Sequence, residues 1–287
     1  MAYLFLLTRS YTSLAKKLKS RVPKIEFDEL QMYFGEPFIV KTDDEENDSQ
    51  SLFKKKSVKT KDLIIYQPTI GNIVEMGETK FFSSLNALVS NTTQYRLMLW
   101  DLGIDWNTTS DYELFIMLYK SISDEVSQLL FHLNFSNFEL YTQELNGKQE
   151  VVLYSKKDDI LINEKAYTFI SQYLQNVFQI KPEEKITQDP VLKRLYIEKD
   201  RRQQEREEKK GTDNSSNLKA LISACVNHAG FKHSLKDLKE VGVCEFYDSV
   251  QRLQIYESTT ALLKGMYSGF IDGKKIKPED YNFMKTL

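Results

Sequence analysis

Cysteine is scarce: Cys225 and Cys244 are the only two in 287 residues, too few for a disulfide framework. Long apolar runs are missing as well. No stretch reaches the roughly 20 apolar residues needed to span a bilayer. The opening MAYLFLLTRS carries an apolar run too short, and without a basic lead, for a secretory leader. These absences lead us to expect a soluble, intracellular chain. An excess of one charge is also lacking, since 39 Lys and Arg against 41 Asp and Glu leave a formal net charge of -2. No global basic field is therefore present to gather phosphate, which removes the simplest case for nucleic-acid binding.

Aromatic residues are abundant, with 17 Phe and 16 Tyr. Such rings suit cores and protein interfaces alike. Their arrangement divides the chain into four parts. Residues 1–58 read as an N-terminal arm and charged linker. Within it, YTSLAKKLKSR places Leu14 and Leu18 on a weak amphipathic helix, PFIVKT reads as a strand, and DDEENDSQS followed by KKKSVKTK has no means of forming a core.

Residues 59–188 read as an α+β domain. LIIY is a short buried strand, after which Ile70, Ile73, Val74, Gly77, Phe81, Leu85 and Leu88 recur at helical steps. On that spacing Gly77 allows close helix packing. Gly103 sits where a helix end favours positive φ, and Ser110 is a good N-cap ahead of Asp111 and Glu113. The period then changes to two in FSNFELY, QEVVLYS and DDILIN, predicting three short strands before a closing helix, EKAYTFISQYLQNVF. Residues 189–215 form a charged helix and linker: EKDRRQQEREEKKGTDNSSN has no apolar residue and reads as a solvated helix. Residues 216–287 read as a helical C-terminal domain with one long helix, VCEFYDSVQRLQIYESTTALLKGMY, and a last helix at KPEDYNFMKTL, where Pro278 fits the first turn. The fold class expected is α+β, a mixed helical and small-sheet domain followed by an all-α one.

Several stretches invite a chemical reading. Gly71 and Gly77 in QPTIGNIVEMGETKFF stand too far apart for a phosphate loop, no Lys-Ser/Thr pair follows them, and Glu75 and Glu78 would repel phosphate. The ETK triplet has the acid-x-lysine form of metal-dependent nucleases, with Asp62 upstream. That chemistry needs a strand, and the helical spacing sends Glu78 and Lys80 in different directions. Cys225, His228, His233 and Cys244 are candidate zinc ligands, but their spacing fits no common template and Cys225 continues the apolar stripe of Leu218, Leu221 and Ile222. Asp101, Asp105 and Asp111 are better explained by turn and helix-end chemistry than as a carboxylate cluster. His132 reads as a core-edge residue, and no serine or cysteine nucleophile has an identifiable base. We therefore expect neither catalysis nor a cofactor.

The C-terminal stretch LISACVNHAGFKHSLKDLKEVGVCEFYDSVQRLQIYESTTALLKGMYSGFIDGKKI, together with YFGEPFIV, IYQPTIGNIVEMGE, LWDLGIDWNTTSDYELF and NFSNFELY, resembles proteins encoded among the structural genes of tailed bacteriophages of low-GC Gram-positive hosts. The resemblance spans most of the chain and points towards tail-assembly chaperones, which hold the helical tape-measure protein while the tail tube forms. It implies phage tail proteins (tape measure or tail tube) as partners, admits a homo-oligomer, and places the chain in the host cytoplasm. The alternative is a virion component of the neck or baseplate; a third class is a nucleic-acid-binding protein or metal-dependent nucleic-acid enzyme. Contact candidates are Trp100, Trp106, Tyr267 and Phe270, each near an expected helix end or turn.

Overall fold

The computed structural model describes residues 24–40, 60–145, 148–210 and 216–285. The amphipathic helix expected around Leu14 and Leu18, the charged stretch 43–59, the Asn146–Gly147 turn and the linker 211–215 lie outside the described residues.

Asp28 starts the first helix, α1 (Glu29–Tyr33), by accepting the N–H groups of Leu30 and Gln31 at 2.9 and 3.1 Å. Strand β1 (Phe38–Val40) follows and pairs antiparallel with β2 (Leu63–Ile65), Ile39 opposite Ile64. Beyond β2, Thr69 and Asn72 form a reciprocal capping box that opens α2 (Ile70–Met76). The regular apolar spacing does not make one helix here. Gly77 takes φ +96°, ends α2 and starts α3 (Glu78–Val89), so that Val74 falls on the exposed side. Gly77 has open space where a β-carbon would stand, and its role is to turn the chain rather than to let helices approach. Gly71 is the glycine required by packing.

Helix α4 (Arg96–Asp101) ends at Leu102 and Gly103, the latter at φ +73° as expected. Ser110 and Glu113 make a second capping box on α5 (Asp111–Leu118), and α6 (Asp124–Phe131) follows. Strands β3 (Glu139–Leu145), β4 (Lys148–Ser155) and β5 (Ile160–Ile162) form an antiparallel sheet in that order, with Tyr141 opposite Val152 and Tyr154 opposite Leu161. Asn163 caps α7 (Glu164–Val177). Phe81, Leu85 and Leu88 of α3, Phe115 of α5, and Tyr167, Ile170 and Leu174 of α7 meet in the centre of the core, where the Phe115 and Tyr167 rings stack at 4.6 Å. The Tyr112 hydroxyl ties this core to the sheet, lying 2.9 Å from the carbonyls of Val151 and Ile162.

Then come the charged helix α8 (Pro190–Lys210), α9 (Asn217–Val226) and the 25-residue α10 (Val243–Tyr267). The architecture is α+β, with two small sheets and a helical C-terminal region. Leu218, Cys225, Leu238, Val243, Phe246 and Val250 belong to the same buried cluster as Leu63, Phe81 and Leu174. Backbone bonds join the two stretches directly: Ile70 N–H donates to the Val241 carbonyl at 3.0 Å and Val243 N–H to that of Pro68 at 3.1 Å. The helix expected at KPEDYNFMKTL is only a 3-10 turn, Pro278–Tyr281. Arg252 Nη1 donates to the Lys285 carbonyl at 2.7 Å, with the Phe283 carbonyl 3.5 Å away, so the tail follows the surface of α10 instead of closing a helix of its own.

Candidate interaction surface

Two helices carry the features that bear on function. The first is α8, whose stretch from Glu198 onward the charge pattern presents as solvated. Its N-terminal half docks. Ile197 is buried against Leu99, Trp106 and Leu114, and Tyr196 packs beside them. Arg96 grips Asp200 with two bonds, Nε to Oδ2 at 2.5 Å and Nη2 to Oδ1 at 2.6 Å, and its guanidinium lies 5.2 Å from the Tyr196 ring centre. Lys193 reaches Asp105 at 2.6 Å, and Arg201 reaches Asp101 at 2.5 Å. Burial works to raise the Asp105 pKa. Lys193 and the Asn107 N–H outweigh it and hold the carboxyl below its usual range. Upstream of α8 the chain is laced to the α4–α5 region. Lys185 N–H donates to Thr93 Oγ1 at 3.1 Å, and Asn107 bonds both the carbonyl and the N–H of Thr187, at 3.0 and 3.2 Å. The helix therefore straps down as far as Arg201, and residues 202–209 stand exposed.

Asp101 and Asp105 thus serve as anchors for α8. Asp111 accepts the Thr92 N–H at 2.9 Å while heading its own helix. Glu78 and Lys80 part company as the helical spacing predicts: Glu78 Oε1 accepts the Leu218 N–H at 3.0 Å, and Lys80 pairs with Glu125. A carboxylate at the first turn of α9 suits the partial positive charge there.

The four zinc candidates are spread over separate partners. Cys225 and Cys244 are buried thiols; His228 Nε2 lies 3.2 Å from Glu257 and His233 Nε2 3.4 Å from Glu245, both on α10. Among the described residues, no three His, Cys, Asp or Glu side chains are grouped for a metal ion. Burial, helped by the Asp248 carboxylate, pushes the Cys244 thiol up to about 11.

The second helix is α10. Its first two turns are core, with Val243, Phe246 and Val250 buried, but beyond Leu253 none of its side chains belongs to the apolar core. The segment from Val250 to Tyr267 extends about 26 Å along the helix axis. The tail folds back along part of it: Ile271 lies against Gly265, Met266 against Gly273, and Thr259 is buried. Elsewhere the surface is aromatic and open. Tyr256 is 56% exposed, Tyr267 87% and Phe270 90%. Near Asp248 and Arg252, α1 approaches from one direction and the tail from another; burial, then the Asp248 and Glu245 carboxylates, raise the Tyr33 phenol. Leu30, Phe34, Phe283 and Met284 on these two segments are exposed.

Of the four aromatic contact candidates, Tyr267 and Phe270 are open to solvent. Trp100 is half-buried at 38%. Trp106 is 1% exposed, with its indole N–H donating to the Lys185 carbonyl at 3.2 Å and the Lys193 ammonium 5.6 Å from its ring centre. It is core, and offers a partner nothing. Leu30, Phe34, Phe283 and Met284 escaped the sequence reading because nothing local marks them as open; their exposure depends on how α1 and the tail lie against α10.

No helix among the described residues is long and apolar enough to cross a membrane. No curated protein and no solved structure matches the chain. Residues 208–287, which contain α9, α10 and the tail, match the model of the YomV second domain, a phage-derived family of Bacillus type, and this supports a phage protein of low-GC Gram-positive bacteria.

Proposed function

We propose that the chain is a non-enzymatic phage assembly protein that works by holding other proteins, in the manner of a tail-assembly chaperone for the tape-measure protein. The observation that carries this reading is the C-terminal arm: α10 leaves the core after Leu253 and, with the tail and α1, displays Tyr256, Tyr267, Phe270, Phe283, Met284, Leu30 and Phe34. Apolar side chains on a projecting helix are the ordinary means of engaging another helix. The match to the YomV second domain falls on this same part of the chain. The acids that suggest chemistry support the reading too, because Asp101 and Asp105 are tied to Arg201 and Lys193 and Asp111 to a backbone N–H.

Co-expression with the tape-measure protein of the same phage, followed by affinity purification, tests the proposal. A stable complex that Phe34→Asp and Met284→Asp weaken is the expected result. Mass spectrometry of purified virions separates the alternatives. A chaperone is absent from them, whereas a neck or baseplate subunit is present in fixed copy number. Salt-sensitive DNA binding by the purified chain would point to the nucleic-acid class instead.

A further inference from the structure

We propose that the distal half of α10 is a self-recognition element, through which two copies of this chain pair as antiparallel helices. Two apolar stripes run along this part of the helix. The first, Ile255, Thr259, Leu262 and Met266, is buried or half-buried, and at its end the tail folds back, its Ile271 filling the space over Gly265 and its Gly273 meeting the end of Met266. The second is Tyr256, Thr260, Leu263 and Tyr267, at steps of four, three and four. That is the spacing of a coiled-coil seam. No core residue covers it, and its two tyrosines are among the more exposed large side chains of the chain.

The second stripe is complementary to itself. When two such helices lie antiparallel, with Tyr256 of one opposite Tyr267 of the other, Thr260 falls opposite Leu263 and the same layers recur in reverse beyond the two-fold axis. A large residue meets a large one at the ends, and a small residue meets a leucine in the middle. The charges agree. Glu257 and Lys264 follow the seam residues Tyr256 and Leu263, and in the antiparallel register Glu257 of each copy flanks Lys264 of the other. A parallel pair would put the Glu257 and Lys264 of the two copies on opposite flanks of the seam, where these charges could not meet. Both residues are exposed; Glu257 also lies within 3.2 Å of His228, whose contact leaves the carboxylate's other oxygen available. The seam from Tyr256 to Tyr267 is only about 16 Å long. Such an interface falls below the roughly 1,000 Å² of stable complexes, so the dimer is weak and reversible.

This inference goes beyond the proposed function and stands on α10 alone. Sedimentation equilibrium on the full chain, from a few µM to several hundred µM, tests it. Concentration-dependent dimers are expected, and Leu263→Asp abolishes them. Lys264→Glu turns two attractions into two repulsions and weakens the dimer roughly tenfold. Glu257→Lys added to Lys264→Glu restores it, because the double reversal recreates opposite charges across the two-fold. That recovery also shows that a glutamate at position 264 is compatible with the fold. A chain that stays monomeric at several hundred µM overturns the proposal, as does a dimer indifferent to Leu263→Asp or one that the double reversal fails to restore. A Leu263→Asp monomer that still captures the tape-measure protein leaves the proposed function standing; loss of capture alone, with the dimer intact, sinks the proposed function and not this inference.

Discussion

A β-carbon on Gly71 would sit 2.5 Å from the backbone carbonyl oxygen of Lys239. The first turn of α2 and the turn before α10, 168 positions apart in the chain, meet there with no room for a side chain. Since the obstructing atom is backbone, it cannot swing aside. Gly71→Ala must push the two segments apart, straining the bonds between Ile70 and Val241 and between Val243 and Pro68. The expected cost is about 1–3 kcal/mol, seen as a fall in Tm of roughly 2–4 °C per kcal/mol. Gly77→Ala separates this from conformational strain. It meets no atom but carries the penalty of φ +96°, so its cost comes without any loosening of α10. Hydrogen exchange at residues 241–247 distinguishes the two: Gly71→Ala accelerates it and Gly77→Ala does not.

The bond between Arg96 and Asp200 makes a second prediction. Their side chains are 11% and 23% exposed, so Asp200→Asn leaves a guanidinium partly buried without its counter-charge. The cost is about 1–3 kcal/mol, between the values for exposed and buried pairs. It falls on α8. The chain has two tryptophans, and Trp106 is kept from solvent by the segment this helix anchors, whereas Trp100 is already half-exposed. Acrylamide should quench one component of the wild-type fluorescence and both in the variant. Unchanged quenching would mean that Ile197, Tyr196 and the Lys193–Asp105 and Arg201–Asp101 pairs hold the helix without Asp200.

What could be read from the sequence follows from how far each interaction reaches. Thr69, Gly103 and Ser110 behave as their local chemistry dictates, because a cap needs only the next three residues. The three strands of the second sheet show in the period-two pattern for the same reason. Gly71 and Gly77 could not be told apart locally: both interrupt one apolar period, and their different duties depend on Lys239 and on a backbone angle. Nor could α8 be recognised as docked. Its single buried apolar residue, Ile197, is diluted among charges whose partners Arg96, Asp101 and Asp105 lie about a hundred positions away. Trp106 and Tyr267 look alike in the sequence, each near a helix end, and only the presence of α8 over one of them decides which is core.

The Asp105–Lys193 contact gives α8 an acid limit. The folded pKa of Asp105 is lowered from 3.8, so on acidification the unfolded chain takes up this proton first. Its contribution is therefore complete well above pH 3.8 and is lost as pH falls through the lowered folded value. Release of α8 as pH falls below 3.8, followed by proteolysis at acid pH with pepsin, is expected to begin in residues 193–209. Asp105→Asn should reduce the pH dependence of the release while making α8 looser at neutral pH.

Cys244 and Cys225 report on the same packing from the alkaline side. Burial first, and then the Asp248 carboxylate, raise Cys244 to about 11, and burial alone raises Cys225. The thiolate is the reactive form, so at pH 8.5 ionisation alone slows alkylation of Cys244 about 100-fold against a thiol at its ordinary value. Iodoacetamide should leave both thiols unmodified in the native chain and label both within minutes in urea. Stability follows the same sign. Because the folded pKa lies above the unfolded 9.0, the unfolded chain gives up this proton first as pH rises, and the contribution, complete below pH 9, drains away towards pH 11. Tyr112 and Tyr167, raised by burial in the core, act in the same direction. The urea midpoint should therefore fall between pH 8 and pH 10.5, and Cys244→Ala should reduce that fall without removing it. Rapid native labelling of Cys244 at pH 8.5 would show instead that the first turn of α10 opens in solution, and with it the contact that Gly71 permits.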